Sequence, residues 1–242
     1  MPEDRQDADR DVTIARCCTR TCSRAMFFSR HAMPKGAMPQ GMPARRPPAH
    51  NARMTHPDSG PRVLRAQDYR RERWRNGGGW TREILRWPET GDWDLRLSIA
   101  EVDSESPFSR FDGIDRELVL LQGQGMQLRF DGEETRELAP PHGRCRFAGE
   151  RDVVGVPIGG PTRDFNLMWR RSVFSAELLH RPLAGSMLLR PKTGQTWLLF
   201  VLAGRMHFDA ADALPAPEPQ DIVVLPGGPG RRFLLQGAGE LL

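Results

Sequence analysis

The sequence predicts an all-β protein, and three observations carry that prediction. Apolar and polar residues alternate with a period of two along short runs, as in half-buried strands. Gly and Pro separate those runs and supply the backbone geometries that turns require. Apolar spacing of helical period is weak throughout; only AQDYRRER (66–73) invites a turn or two of helix.

Residues 1–53 form a leader unlike the rest. They hold ten Lys or Arg against five Asp or Glu, whereas the other 189 residues hold 25 against 26, so the excess positive charge lies in the leader. Without apolar periodicity, and with Pro and Gly through its second half, this leader cannot bury enough surface to offset its ordering entropy, and disorder is expected. Its acidic first residues and missing apolar segment argue against a secretory signal. Met54 is the expected start of the natural protein. A basic arm for nucleic acid needs a denser charge block, and the body lacks a basic stripe with interleaved aromatics, so no nucleic-acid partner is expected. Cys17, Cys18 and Cys22 fall in the leader and Cys145 stands alone in the body, a set that builds neither a zinc site nor a disulfide framework. The longest apolar run, WLLFVLAG (197–204), is too short to cross a bilayer. No membrane partner is expected, and the cytoplasm is the expected location.

The strands follow in order. In DWDLRLSIAEV (92–102), Leu95, Leu97 and Ile99 alternate with Arg96, Ser98 and Ala100. ELVLLQGQGMQLRFDGEETREL (117–138) reads as three strands separated by a GQG turn and a DG turn. Later strands are read in SMLLRP (186–191), TWLLFVLAGRMHF (196–208), DIVVLP (221–226) and RRFLLQ (231–236). LVLLQGQGMQL (118–128) aligns with LLFVLAGRMHF (198–208), placing Leu118 on Leu198, Leu120 on Phe200, Met126 on Met206 and Leu128 on Phe208; HGRCRF (142–147) then falls on GPGRRF (228–233). The shared order suggests a duplicated β unit, although any two buried hairpins share such a pattern.

Four separated motifs, RNGGGWTREI (75–84), LSIAEVDSESPFSRFDGIDRELVLLQGQG (97–125), FAGE (147–150) and RDFNLMWRR (163–171), together resemble the HutD/Ves family, whose members are similar to double-domain cupins. The resemblance spans about residues 62–240. It implies a bicupin of two double-stranded β-helix barrels, 54–160 and 161–242, with strands exchanged between them in places. It also implies a role in histidine utilisation without an established catalytic activity. Arg75 stands where the family commonly has Lys and Asp112 where Pro is common, and the last strand stops short at GELL (239–242).

RNGGGWTREI lacks the GK[ST] and the following helix of a P-loop, so phosphate binding is disfavoured. Residue chemistry leaves two roles for Gly77, Gly78 and Gly79. They line the mouth of the barrel with backbone while Asn76, Thr81 and Glu83 turn toward a small molecule, or they make a tight crossing that closes the barrel, with Asn76 capping a turn. The resemblance favours the lining.

A cupin metal centre sets two His and a Glu along one strand, with a third His on a later one. GIDRELVLLQGQGMQL (113–128) has no His, and the second copy has only His207. His142, in the turn APPHGR (139–144), is a single imidazole, which does not hold a transition metal. Neither metal nor other cofactor is expected. There is no G-x-S-x-G elbow. Arg116 directly precedes an apolar strand, and an Arg at a barrel rim can fork onto a carboxylate. Arg163 and Asp164 read as an ion pair tying loop to barrel. The expected protein is a cytoplasmic bicupin, regulatory or accessory, that binds a small anionic metabolite such as urocanate or a formylglutamate-like carboxylate. Asn76, Gly77, Gly78, Gly79, Thr81, Glu83, Arg116 and His142 are the candidate ligand contacts. The rival reading is a metal-independent enzyme with Glu83 or His142 as acid or base. Exposed barrel edges favour a homodimer.

Overall fold

In a computed structural model of the protein, residues 60–132 and 134–242 are described, together with the strand at residues 16–19. The all-β expectation is met: among the described residues, helix is confined to single 3₁₀ turns at Ala66–Asp68 and Ala210–Asp212. No helix there is long and apolar enough to cross a membrane.

Strands are numbered in chain order. A six-stranded sheet runs β10 (Arg144–Ala148), β7 (Ile114–Gln122), β12 (Thr162–Arg170), β5 (Leu95–Val102), β4 (Gly79–Trp87), β3 (Arg70–Arg73). A four-stranded sheet runs β6 (Ser106–Pro107), β11 (Val153–Pro157), β8 (Met126–Phe130), β9 (Glu134–Leu138). The third sheet runs β13 (Phe174–Glu177), β1 (Arg16–Thr19), β15 (Gln195–Phe208), β16 (Ile222–Pro226), β2 (Arg62–Leu64). Onto β15 it adds β17 (Phe233–Leu241), which also pairs with β14 (Arg181–Leu189). β12 follows residue 160 yet lies in the middle of the six-stranded sheet, and β2 precedes it yet pairs with β16, so strands cross between the halves.

Period-2 alternation places a core on each face of the six-stranded sheet. Leu97, Ile99, Phe165, Leu167 and Trp169 on one face pack with Leu198, Phe200, Ile222 and Val224 of the third sheet. On the other face, Ala100, Val102, Leu118 and Leu120 pack with Met126, Leu128, Phe130 and Leu138 of the four-stranded sheet. A third cluster, around Trp197, Leu199, Met206, Phe233 and Leu235, fills the far side of β15.

Two local expectations change, at residues 70–73 and at the GQG turn. Residues 70–73 form an edge strand and not a helical turn, because Arg70 to Arg73 pair with Glu83 to Trp80 and that ladder overrides a weak helical preference. Within the leader, Arg16–Thr19 forms a strand that pairs with both β13 and β15, whose antiparallel edges accept an extended segment through main-chain groups. The rest of the leader, and with it the expectation about Met54, lies outside the described residues. The GQG turn joins no hairpin. β7 pairs with β10 and β12 while β8 pairs with β9 and β11, so Gly123 to Gly125 is a corner at which the chain changes sheets. The DG turn does close a hairpin, β8 to β9, with Asp131 and Gly132 both at positive φ.

The internal alignment holds on one side of this corner only. Met126 and Leu128 face one hydrophobic cluster, and Met206 and Phe208 face another. Upstream, Leu118 and Leu120 face the core of their own unit, whereas the aligned Leu198 and Phe200 face the shared core. Both strands carry a register shift here, β7 at Leu121 and β15 at Leu202, but β15 runs on into Met206 and Phe208 whereas β7 ends at the corner, and Met126 and Leu128 stand in another sheet.

Candidate functional site

The polar residues that alternate with this apolar pattern do not face solvent. Registers align Arg116, Met168 and Arg96 in one row across β7, β12 and β5; Asn166, Ser98 and Glu83 in the next; and Asp164, Ala100 and Thr81 beyond it. Over these rows lies a cavity of about 470 Å³, bounded by the β3–β4 turn and by residues 107–111. Its lining joins Arg96, Ser98, Arg116 and Asn166 of the sheet to Asn76 and Thr81 of the glycine motif, with aromatic walls from Trp74, Phe108 and Phe111. Four arginines, Arg73, Arg75, Arg96 and Arg116, line it against one carboxylate, Glu72.

Arg116 is the centre of this arrangement. It sits at the floor of the cavity and not at the rim the sequence suggested, with 4% of its surface exposed. Its Nη1 donates to the carbonyl of Ser109 at 3.1 Å, and its guanidinium lies 5.4, 5.6 and 5.1 Å from the ring centroids of Phe108, Phe111 and Phe147. Its buried Nε has no hydrogen-bond partner among the described residues, nor have Asn166 Oδ1 and both carboxyl oxygens of Asp164. Burial pushes the Arg116 pKa down to about 10, an effect partly offset by Asp164. Burial likewise pushes Asp164 up to about 7, partly offset by Arg116. Unpartnered buried polar atoms are uncommon because each forfeits its hydration without replacement. Arg116 and Asn166 line the cavity, and Asp164 stands in the adjoining row of the same sheet face.

The expected ion pair between Arg163 and Asp164 does not form. Adjacent strand residues point to opposite faces. Arg163 donates to Gln220 Oε1 at 2.8 Å, while Asp164 turns inward toward Arg116.

The carboxyl of Asp164 gives a testable pH dependence. Its folded pKa of about 7 exceeds the ordinary value of 3.8, so between those pH values the folded chain holds a proton that the unfolded chain has released. Its contribution to stability is fully present below about pH 4 and lost as pH rises through about 7, on the order of 4 kcal/mol across the window. Asp164→Asn removes this titration. Denaturant unfolding of wild type and variant from pH 4 to 8 is expected to show the wild type losing stability relative to D164N as pH rises; parallel curves would contradict a raised carboxyl.

The structure divides the other predicted residues. Asn76 and Thr81 line the cavity, and the Thr81 hydroxyl accepts from Trp74 Nε1 at 2.8 Å. Glu83 forms an ion pair with Arg96 at 2.8 Å and so reaches the cavity through it. Gly77, Gly78 and Gly79 are not among its lining residues. Asn76 Oδ1 accepts from the Gly78 amide at 3.0 Å, Gly77 has φ of 74°, and a Cβ at Gly78 or Gly79 would overlap Ser106 Oγ or the Glu101 carbonyl. The triplet therefore makes a capped turn and a tight crossing, which set Trp74 and Thr81 in place. His142 lies elsewhere, with His180 and Glu240. Arg96, Ser98 and Asn166 were missed as site residues, and the only signal for them was polarity in strands that prove buried on both faces.

The sequence profile of the HutD family matches residues 66–242. An uncharacterised 21.2 kDa protein of the hutC 3′ region in Pseudomonas putida is 43% identical over 118 residues, 48% of this chain and 62% of that protein. Protein Ves of Cronobacter sakazakii is 38% identical over 106 residues, 43% of this chain and 58% of that protein. The chain thus spans about three fifths of the length of these curated relatives. The solved structure of HutD from Pseudomonas fluorescens SBW25, in a formate condition, superposes with a TM-score of 0.64 at 34% identity, covering 75% of this chain and 96% of that one.

Proposed function

We propose that this chain, which belongs to the HutD family, is a non-catalytic binding protein of histidine utilisation that takes a small carboxylate metabolite into the cavity floored by Arg116. The single observation behind this reading is the buried, incompletely hydrogen-bonded Arg116 beneath a cavity of about 470 Å³. A guanidinium there offers forked hydrogen bonds to a carboxylate in a low-dielectric site, where such bonds are strong. Ser98, Asn166, Asn76 and Thr81 supply further polar contacts, and Trp74, Phe108 and Phe111 an apolar wall. The volume suits a molecule of the size of urocanate or formylglutamate. The setting of the Pseudomonas putida relative beside hutC supports histidine utilisation as the context. In this reading the two halves are the two barrels of a cytoplasmic bicupin, with β2 and β12 exchanged between them and the edge strands available to a second copy.

Turnover is disfavoured by the chemistry of the lining. Glu83 is held by Arg96 and His142 is not part of the cavity, which removes both acid–base candidates of the rival reading. Calorimetric titration of the full chain with urocanate and with formylglutamate, followed by chromatography of the recovered ligand, tests the proposal. Saturable heat with unchanged ligand is expected. Conversion of either ligand would establish an enzyme instead, and no binding of either would refute the assigned ligand class.

A further inference from the structure

A second cluster lies outside the cavity. His142 comes from the turn between β9 and β10, His180 from the segment between β13 and β14, and Glu240 from β17. Nε2 of His142 is 3.2 Å from Oε2 of Glu240, and Nε2 of His180 is 3.3 Å from the same oxygen. The three ligand atoms lie within 4.8 Å of one another, and the two rings are 4.9 Å apart between centroids. We propose that His142, His180 and Glu240 form a binding site for a divalent transition-metal ion, with zinc the representative.

The donor set is the first argument. Two imidazoles and one carboxylate are ligands that zinc and its neighbours in the first transition row accept, with a remaining position for water. Geometry is the second. Tetrahedral zinc with ligand bonds of about 2.1 Å spaces its ligand atoms about 3.4 Å apart. Two edges of this triangle, at 3.2 and 3.3 Å, already match. The remaining edge, at most 4.8 Å, closes by a side-chain rotation of His180, whose side chain is 42% exposed and free to turn. Backbone conformation is the third. His142 has φ of 59°, a left-handed conformation uncommon outside glycine, and its imidazole meets Glu240 of β17.

Both imidazoles already address one oxygen of the Glu240 carboxylate through Nε2. His142 Nδ1 is buried with no partner among the described residues, so its ring is oriented by backbone and by the neighbouring imidazole and not by a second hydrogen bond. The bound ion ties the turn before β10 to β14 and β17, which belong to another sheet. It thereby joins segments 98 and 60 residues apart.

The test uses the full chain stripped with a chelator and titrated with Zn²⁺ alone, followed by calorimetry, with Co²⁺ absorption as a report of coordination. One saturable site per chain is expected, together with a rise in melting temperature on adding Zn²⁺. His180→Ala and Glu240→Gln are each expected to weaken binding at least about tenfold and to abolish the thermal shift, while melting like the wild type without metal. Glu240→Gln preserves shape, so it guards against a folding defect in the other variant. Absence of saturable binding by the wild type would overturn the proposal, as would unchanged affinity in both variants.

Discussion

Arg116→Met is expected to weaken carboxylate binding by about two orders of magnitude while leaving the protein folded. Charge-assisted hydrogen bonds from a buried guanidinium contribute about 1.5–3 kcal/mol each, and about 3 kcal/mol corresponds to roughly 100-fold in affinity. The fold tolerates the change for two reasons. Methionine packs against the rings of Phe108, Phe111 and Phe147, which already surround the guanidinium. Asp164, deprived of the nearby cation that lowers its pKa, takes up a proton more readily, so no lone charge is stranded in the interior. Arg116→Lys keeps a charge but loses the planar fork, and an intermediate loss is expected. Calorimetric titration and thermal melting of the two variants check both halves of the statement. Retained affinity in R116M would remove Arg116 from the site.

Gly79→Ala is expected to destabilise the protein by about 3 kcal/mol, a fall in Tm of roughly 6–12 °C. A Cβ at this position would overlap the Glu101 carbonyl on β5 and press on the Trp74 ring at 3.1 Å. Neither neighbour can yield freely: the carbonyl is main chain of a central strand pair, and Trp74 is held by its hydrogen bond to Thr81 and by an edge contact to Phe108. Gly77→Ala makes a useful contrast. No atom lies within 4 Å of its added Cβ, so the cost is that of positive φ alone, about 1 kcal/mol. Denaturant unfolding of both variants should therefore rank them G79A far below G77A. Equal losses would mean that the triplet acts through turn conformation and not through close approach.

Strand after strand was legible because alternation is a local property. DWDLRLSIAEV shows a period of two whichever way its faces point, and β5 forms at 95–102 as that pattern requires. The same alternation concealed the site. A polar face on a strand ordinarily meets water, so alternation alone carries no sign that Arg96, Ser98 and Asn166 line a cavity, whereas the four-stranded sheet and residues 107–111 cover that face and enclose one. Arg116 was legible because a cation at the start of a strongly apolar strand has no local reason to be there. The glycine triplet was recognised as special, but its role depends on the approach of Ser106 and Glu101, some 25 residues away in sequence, which composition cannot report. His142 looked solitary for a similar reason, since its partners arrive on other strands. The GQG corner shows the limit from the other side: the turn was identified, but whether flanking strands pair across it is decided by β10, β11 and β12.

The most direct measurement of the central claim is a crystal structure of the full chain soaked with formylglutamate or urocanate. Density is expected in the cavity beneath Phe108, with a carboxylate oxygen within about 3 Å of the Arg116 guanidinium. Ligand density confined to another part of the molecule, with Arg116 still bonded to Ser109 alone, would contradict the account.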